Sequence, residues 1–200
     1  VLHKPFVTAL LAGAALSKCA NALAHGNFGA DTSIWTASAH LLTSPLSLAA
    51  LIGLALVFFN TRESISVLAA VLAAMASVLA SAASEHIPDV MAPAAVVILG
   101  LSAVFAWRPS TAFLLLLAVL AGLAAGVAAD MQQPRWQALI GMAVTVMVCT
   151  FWLLAISNNL YRNRNTRLQT LLPIARRILG SWVTAIALLL GALALLAGRV

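Results

Sequence analysis

An all-α, polytopic membrane helix bundle is the fold class this sequence predicts, and three observations predict it. Six apolar stretches follow one another between Ala39 and Ala197, each close to the ~20 residues a helix needs to cross about 30 Å of hydrocarbon. Only 8% of the residues are charged while 63% are hydrophobic, against roughly a quarter charged in a typical soluble domain; the mean hydropathy is +1.05. Five of the eleven Lys and Arg residues, namely Arg162, Arg164, Arg167, Arg176 and Arg177, crowd into the one strongly polar stretch, Leu160 to Ile178. Short loops rich in Lys and Arg stay on the cytoplasmic side of an inner membrane, so this stretch orients every other segment.

The chain opens with a segment, Val1 to Ala24, that reads as a secretory signal peptide. His3 and Lys4 form a short basic start, Phe6 to Leu16 an apolar core, and Ala22-Leu23-Ala24 the small-x-small cleavage site, which would leave His25 as the mature amino terminus. An uncleaved anchor, a seventh helix, is the alternative. Lys18 before Cys19 is the wrong residue for a lipoprotein signal. His25 to Ser38 is polar and external. The apolar stretches are Ala39 to Phe59, Ile65 to Ala83, Val90 to Trp107, Thr111 to Ala129, Trp136 to Leu160 and Ile178 to Ala197, together one transmembrane domain spanning residues 25–200. Ala and Leu dominate them without ten-residue alternation, which argues against strands. The short connections predict that consecutive helices are antiparallel neighbours.

The charges agree with one topology. With Leu160 to Ile178 inside, Arg62, Glu63 and Arg108 also fall inside, while Asp31, Glu85, Asp89 and Asp130 fall outside. Trp35, Trp107, Trp136 and Tyr161 stand at predicted boundaries, as in an aromatic belt. The expected location is the bacterial inner (cytoplasmic) membrane, with the carboxyl terminus periplasmic and anionic lipids against the Arg-rich stretch. Confinement of the net charge of +6 to that setting speaks against nucleic acid as a partner. Cys19 and Cys149 each lie in an apolar run, which gives no disulfide framework. Ala69, Ala73, Ser77 and Ser81 repeat every four residues, and Gly122 and Gly126 form a GxxxG. Such faces let helix backbones approach closely, either within this bundle or against a partner subunit.

Chemistry is sparse. No nucleophile–base pair, phosphate loop or redox motif is present, and the spans hold no ionisable residue away from their ends except His40; an enzyme is not expected. The remaining constellation is external: His25, His40, Glu85, His86 and Asp89 share the predicted periplasmic face, and imidazole with carboxylate suits Ni, Co, Cu or Zn. The alternative is that scattered polar residues on one face satisfy solvent.

A signal peptide followed by His25-Gly26, a polar stretch into Ala39-His40 and an apolar helix, together with Ala175-Arg176-Arg177-Ile178-Leu179-Gly180-Ser181-Trp182 entering the last span, resembles the HupE/UreJ family of hydrogenase and urease accessory membrane proteins. The resemblance covers most of the chain in layout. It implies a first-span motif of form H-P-x-x-G-x-D-H serving nickel or cobalt passage. Here that window reads His40-Leu41-Leu42-Thr43-Ser44-Pro45-Leu46-Ser47: His40 matches, while Leu46 and Ser47 stand in place of Asp and the second His. The family's His-rich stretch at the end of the fourth span would fall at Ala125 to Asp130, which has no histidine. The resemblance implies a metal permease or accessory protein with a degenerate metal path. The competing expectation is a non-catalytic subunit packed into a larger respiratory, photosynthetic or oxygenase complex.

Overall fold

The computed structural model describes residues 34–58, 61–83, 86–88, 90–105, 109–129, 136–162 and 166–197. The chain divides into units at 1–31 and 32–200, and all the described residues belong to the second. The expected signal peptide or seventh helix therefore lies outside the described residues. Among the described residues there are seven α-helices: α1 (Ile34–Thr43), α2 (Pro45–Val57), α3 (Glu63–Ala82), α4 (Met91–Val104), α5 (Thr111–Ala128), α6 (Trp136–Arg162) and α7 (Thr166–Ala197). Among the described residues there is no strand.

The all-helical class is as expected, but the spans differ in three places. Four helices are long and apolar enough to cross a membrane, or five if the bent pair α1 and α2 counts as one span. That pair replaces the single helix expected over Ala39 to Phe59, begins at Ile34 inside the supposed external segment, and bends by 74°. The cause is local. Pro45 disfavours helical dihedrals at the residue before it and brings no N–H to continue the ladder, so Ser44 turns extended (φ −72°, ψ 115°) and caps α2 by accepting the Ser47 N–H. Proline then occupies the first helical position, where a missing N–H costs nothing. The third expected span is a helix of only 14 residues, about 21 Å long.

The expected loop from Leu160 to Ile178 is mostly helix. α6 runs on to Arg162 and α7 begins at Thr166 and continues for 32 residues with Pro173 inside it. Arg, Leu and Gln are good helix formers, so charge alone does not unwind the backbone. At about 48 Å, α7 is longer than a ~30 Å hydrocarbon layer requires.

Packing also departs from the expectation that sequential helices pair. The largest interfaces are α3 with α5, α4 with α7 and α3 with α6, whereas α5 barely meets α6, and α6 barely meets α7. Small residues decide the partners. The Ala69–Ala73–Ser77–Ser81 face of α3 is buried, and it receives the glycines of α5: a methyl group at Gly122 would collide with the Ala73 carbonyl, and one at Gly126 with that of Ser77. Both predicted faces are thus used within the chain, backbone against backbone, where dispersion replaces water exclusion as the attraction. α2 is apolar all round and sits at the centre, as a fully surrounded helix must; its Ala50 and Leu54 pack with Val96 and Leu99 of α4, Leu117 of α5 and Ala187 of α7. Around the outside, Met75, Leu79, Phe105, Trp152, Leu188 and Leu189 are exposed. Such apolar flanks around an apolar core are those of a multi-pass membrane protein.

Candidate functional site

The broken pair concentrates the polar side chains of the amino-terminal half. Thr43 donates to the Ala39 carbonyl at 2.9 Å, within the last turn of α1, where the Ser44 N–H continues the ladder onto the His40 carbonyl at 3.0 Å. Across the break, Ser44 donates to the Ala128 carbonyl at 3.2 Å, and the fully buried Ser47 donates to the Ala125 carbonyl, also at 3.2 Å. On the other flank Ser38 donates to the Ile34 carbonyl at 2.9 Å, and the Thr145 hydroxyl of α6 lies 2.8 Å from Ser38 Oγ. The approach of α6 is close because residue 141 is glycine: a Cβ there would lie 2.6 Å from the Ile34 carbonyl oxygen.

His40 stands in this last turn of α1. It is half-buried, and its Nδ1 is buried with no hydrogen-bond partner among the described residues. Leaving a buried ring nitrogen unpaired costs on the order of 1–3 kcal/mol. One feature favours a cation there: the carbonyl end of a helix carries the negative end of its macrodipole. What this turn offers a small cation is one imidazole nitrogen at the negative end of a short helix. It lacks the charge to hold one tightly, because among the described residues no three His, Cys, Asp or Glu side chains converge.

The other predicted ligands fare differently. His86 is described and is exposed just beyond α3. His25, Glu85 and Asp89 lie outside the described residues. In the fifth expected span, Thr145 bonds its own helix, lying 2.7 Å from the Gly141 carbonyl. Buried Thr150 has no partner for its hydroxyl among the described residues, contrary to the rule that such hydroxyls bond back to the preceding turn.

A second polar cluster, at the Arg62 end of α3, was not singled out from the sequence. Asn158 accepts the Thr61 N–H at 3.2 Å and donates from Nδ2 to Ser66 Oγ at 3.2 Å, while Thr61 Oγ1 and Ser66 Oγ lie 3.1 Å apart. One helical turn beyond Asn158, Arg162 pairs with Glu63 at 3.0 Å, both side chains well exposed. The available sequence signal was the single acidic residue, Glu63, placed on the arginine-rich side.

Compared with family models, with curated proteins and with solved structures, the chain matches none of them.

Proposed function

We propose that the chain is an integral membrane accessory protein of the HupE/UreJ kind, which holds a nickel or cobalt ion at His40 and does not carry it efficiently through the bilayer. The observation that supports this reading is the coincidence of the first-span window with the helix break. The residue matching the motif's first histidine presents a buried Nδ1 with no partner among the described residues at the carbonyl end of α1. In this reading the chain crosses the bacterial inner membrane six times, α1 with α2 being one crossing and short α4 another. The Arg-rich segment is cytoplasmic against anionic lipid, and His40 belongs to the periplasmic rim with His25 and His86. A divalent ion needs ligands along its path, since even one side-chain charge at the bilayer midplane costs several kcal/mol. Here Leu46, Ser47 and the run from Ala125 to Ala129 offer hydroxyl and backbone oxygen only.

Two measurements on protein without a histidine tag test the reading. Equilibrium dialysis with nickel or cobalt should give one weakly held ion per chain, lost in His40→Ala. Proteoliposome uptake of either ion should not exceed that of empty vesicles. Binding unchanged in His40→Ala would remove the site, and strong uptake abolished by that substitution would establish a permease instead.

A second reading, a non-catalytic subunit of a larger membrane complex, is favoured by α7. Only 17% of its apolar window is buried, against 50% for α3, and Trp182, Leu188, Leu189, Leu193 and Leu196 face outward. Gentle extraction from native membranes followed by size analysis distinguishes a lone chain from an assembly.

A further inference from the structure

The seam between α3 and α6 opens outward as a groove that the metal reading does not use. Its polar end is a cavity of about 470 Å³ bounded by Glu63, Ser66, Asn159 and Arg162, with Val67, Phe151 and Ala155 on its walls. Val67 and Phe151 also line the next cavity, about 220 Å³, with Val71, Met147 and Trp152. The two lie end to end along the seam, sharing Val67 and Phe151. It is ionic at the helix ends, amide- and hydroxyl-lined one turn in, and wholly apolar beyond. Between Arg162 and Met147 the α6 wall runs about 22 Å at 1.5 Å per residue, the reach of a phospholipid acyl chain.

The occupant follows from the charges at the mouth. Arg162 and Glu63 stand 3.0 Å apart and both are largely exposed, so their mutual attraction is screened and each retains capacity for another partner. A phosphodiester would sit on the Arg162 guanidinium, which presents a planar fork of donors. A purely anionic headgroup such as that of phosphatidylglycerol would bring Glu63 only neutral hydroxyl donors and no cation. A primary ammonium two carbons from the phosphate would donate to the Glu63 carboxylate, whereas a choline head has no N–H to donate. The shelf beneath is stiff, because Asn158 is tied to both Thr61 and Ser66. We infer that this cleft is a binding site for one aminophospholipid of the phosphatidylethanolamine type, its phosphate on Arg162, its ammonium on Glu63 and an acyl chain along Val67, Phe151 and Trp152.

Trp152 supplies the probe. The full chain carrying Trp35→Phe, Trp107→Phe, Trp136→Phe and Trp182→Phe retains it as the single tryptophan. In phosphatidylcholine vesicles containing a minor fraction of lipid brominated on its acyl chains, quenching of Trp152 reports which headgroup is retained beside it. Brominated phosphatidylethanolamine should be enriched over equally brominated phosphatidylcholine or phosphatidylglycerol by roughly three- to tenfold, the scale of one or two partly exposed charge-assisted hydrogen bonds. Glu63→Gln should erase the preference over phosphatidylglycerol. Ala155→Phe, which fills the cleft and leaves the ion pair intact, should reduce quenching by all three lipids. Equal quenching by the three lipids in the single-tryptophan protein would overturn the assignment without recourse to any variant. So would preference for phosphatidylglycerol, or a preference that survives Glu63→Gln.

Discussion

Gly122→Ala is a substitution of one methyl group that should cost more than its size implies. In an isolated helix it stabilises by about 0.8–1 kcal/mol, because alanine loses less backbone entropy. Here the added Cβ would run into the carbonyl oxygen, carbonyl carbon and Cα of Ala73. A flexible side chain could rotate away from it; α3 backbone cannot. The two helices must part along their seam, and the contact one turn on, Gly126 against Ser77, loosens with them. Overpacking of this kind costs about 1–3 kcal/mol, and the obstacle here is rigid. The net expectation is a loss of about 1–2 kcal/mol after the gain in helix propensity is subtracted. Reversible unfolding by sodium dodecyl sulfate in mixed micelles, followed by far-ultraviolet circular dichroism, measures it. Gly191→Ala is the control: among the described residues its methyl meets only the Pro93 side chain, at 3.1 Å and 3.6 Å, so no backbone collision opposes the propensity gain and stability should hold or rise by up to about 1 kcal/mol. Ala73→Gly should not rescue Gly122→Ala, since the collision is with backbone atoms. A Gly122→Ala protein as stable as the parent would refute the account of how α3 and α5 are joined.

Two further outcomes follow from features described above. Asn158→Ala strands the Thr61 N–H and takes one donor from Ser66 Oγ, which keeps Thr61 Oγ1, and should lower stability in the same assay by about 1–3 kcal/mol; a neutral effect would mean that water already serves the Thr61 N–H. For the orientation, a cysteine at position 165 should resist a membrane-impermeant thiol reagent added from outside and one at position 199 should react, with the opposite pattern reversing the topology.

The physical terms that a linear reading captures are the ones that repeat. Alanine and serine at every fourth position announced the α3 face, and GxxxG announced its counterpart, although nothing local says that the two would find each other across the intervening α4. Punctuation was harder to weigh. Ser44-Pro45 is a capping residue followed by a first-turn proline, but inside an apolar run of spanning length it was absorbed into one helix, and the break was missed. The arginines between residues 160 and 178 were read as loop because charge is foreign to hydrocarbon, yet a helix that outruns the bilayer carries charge at no cost to its hydrogen bonds. Of the predicted ligands, His40 stands out in three dimensions for its unpaired nitrogen. The hydroxyl contacts of the helix break reach residues 78 to 107 positions away, and the Asn158 cluster likewise joins residues 92 and 97 positions apart. No short window contains such meetings.

The broken pair at the amino-terminal side also has a consequence for biogenesis. Ser44 and Ser47 donate to carbonyls 84 and 78 positions downstream, and the partner of Ser38 is 107 positions away. A ribosome elongating at roughly 5–20 residues per second delivers those partners roughly 4–20 s after the pair itself has emerged. In the interval the interrupted backbone cannot rest bare in lipid, so water, headgroups or the insertion machinery must hold it. The broken pair is therefore completed only when α5 and α6 arrive, and chains halted before Thr111 should present it to proteases that the finished protein resists.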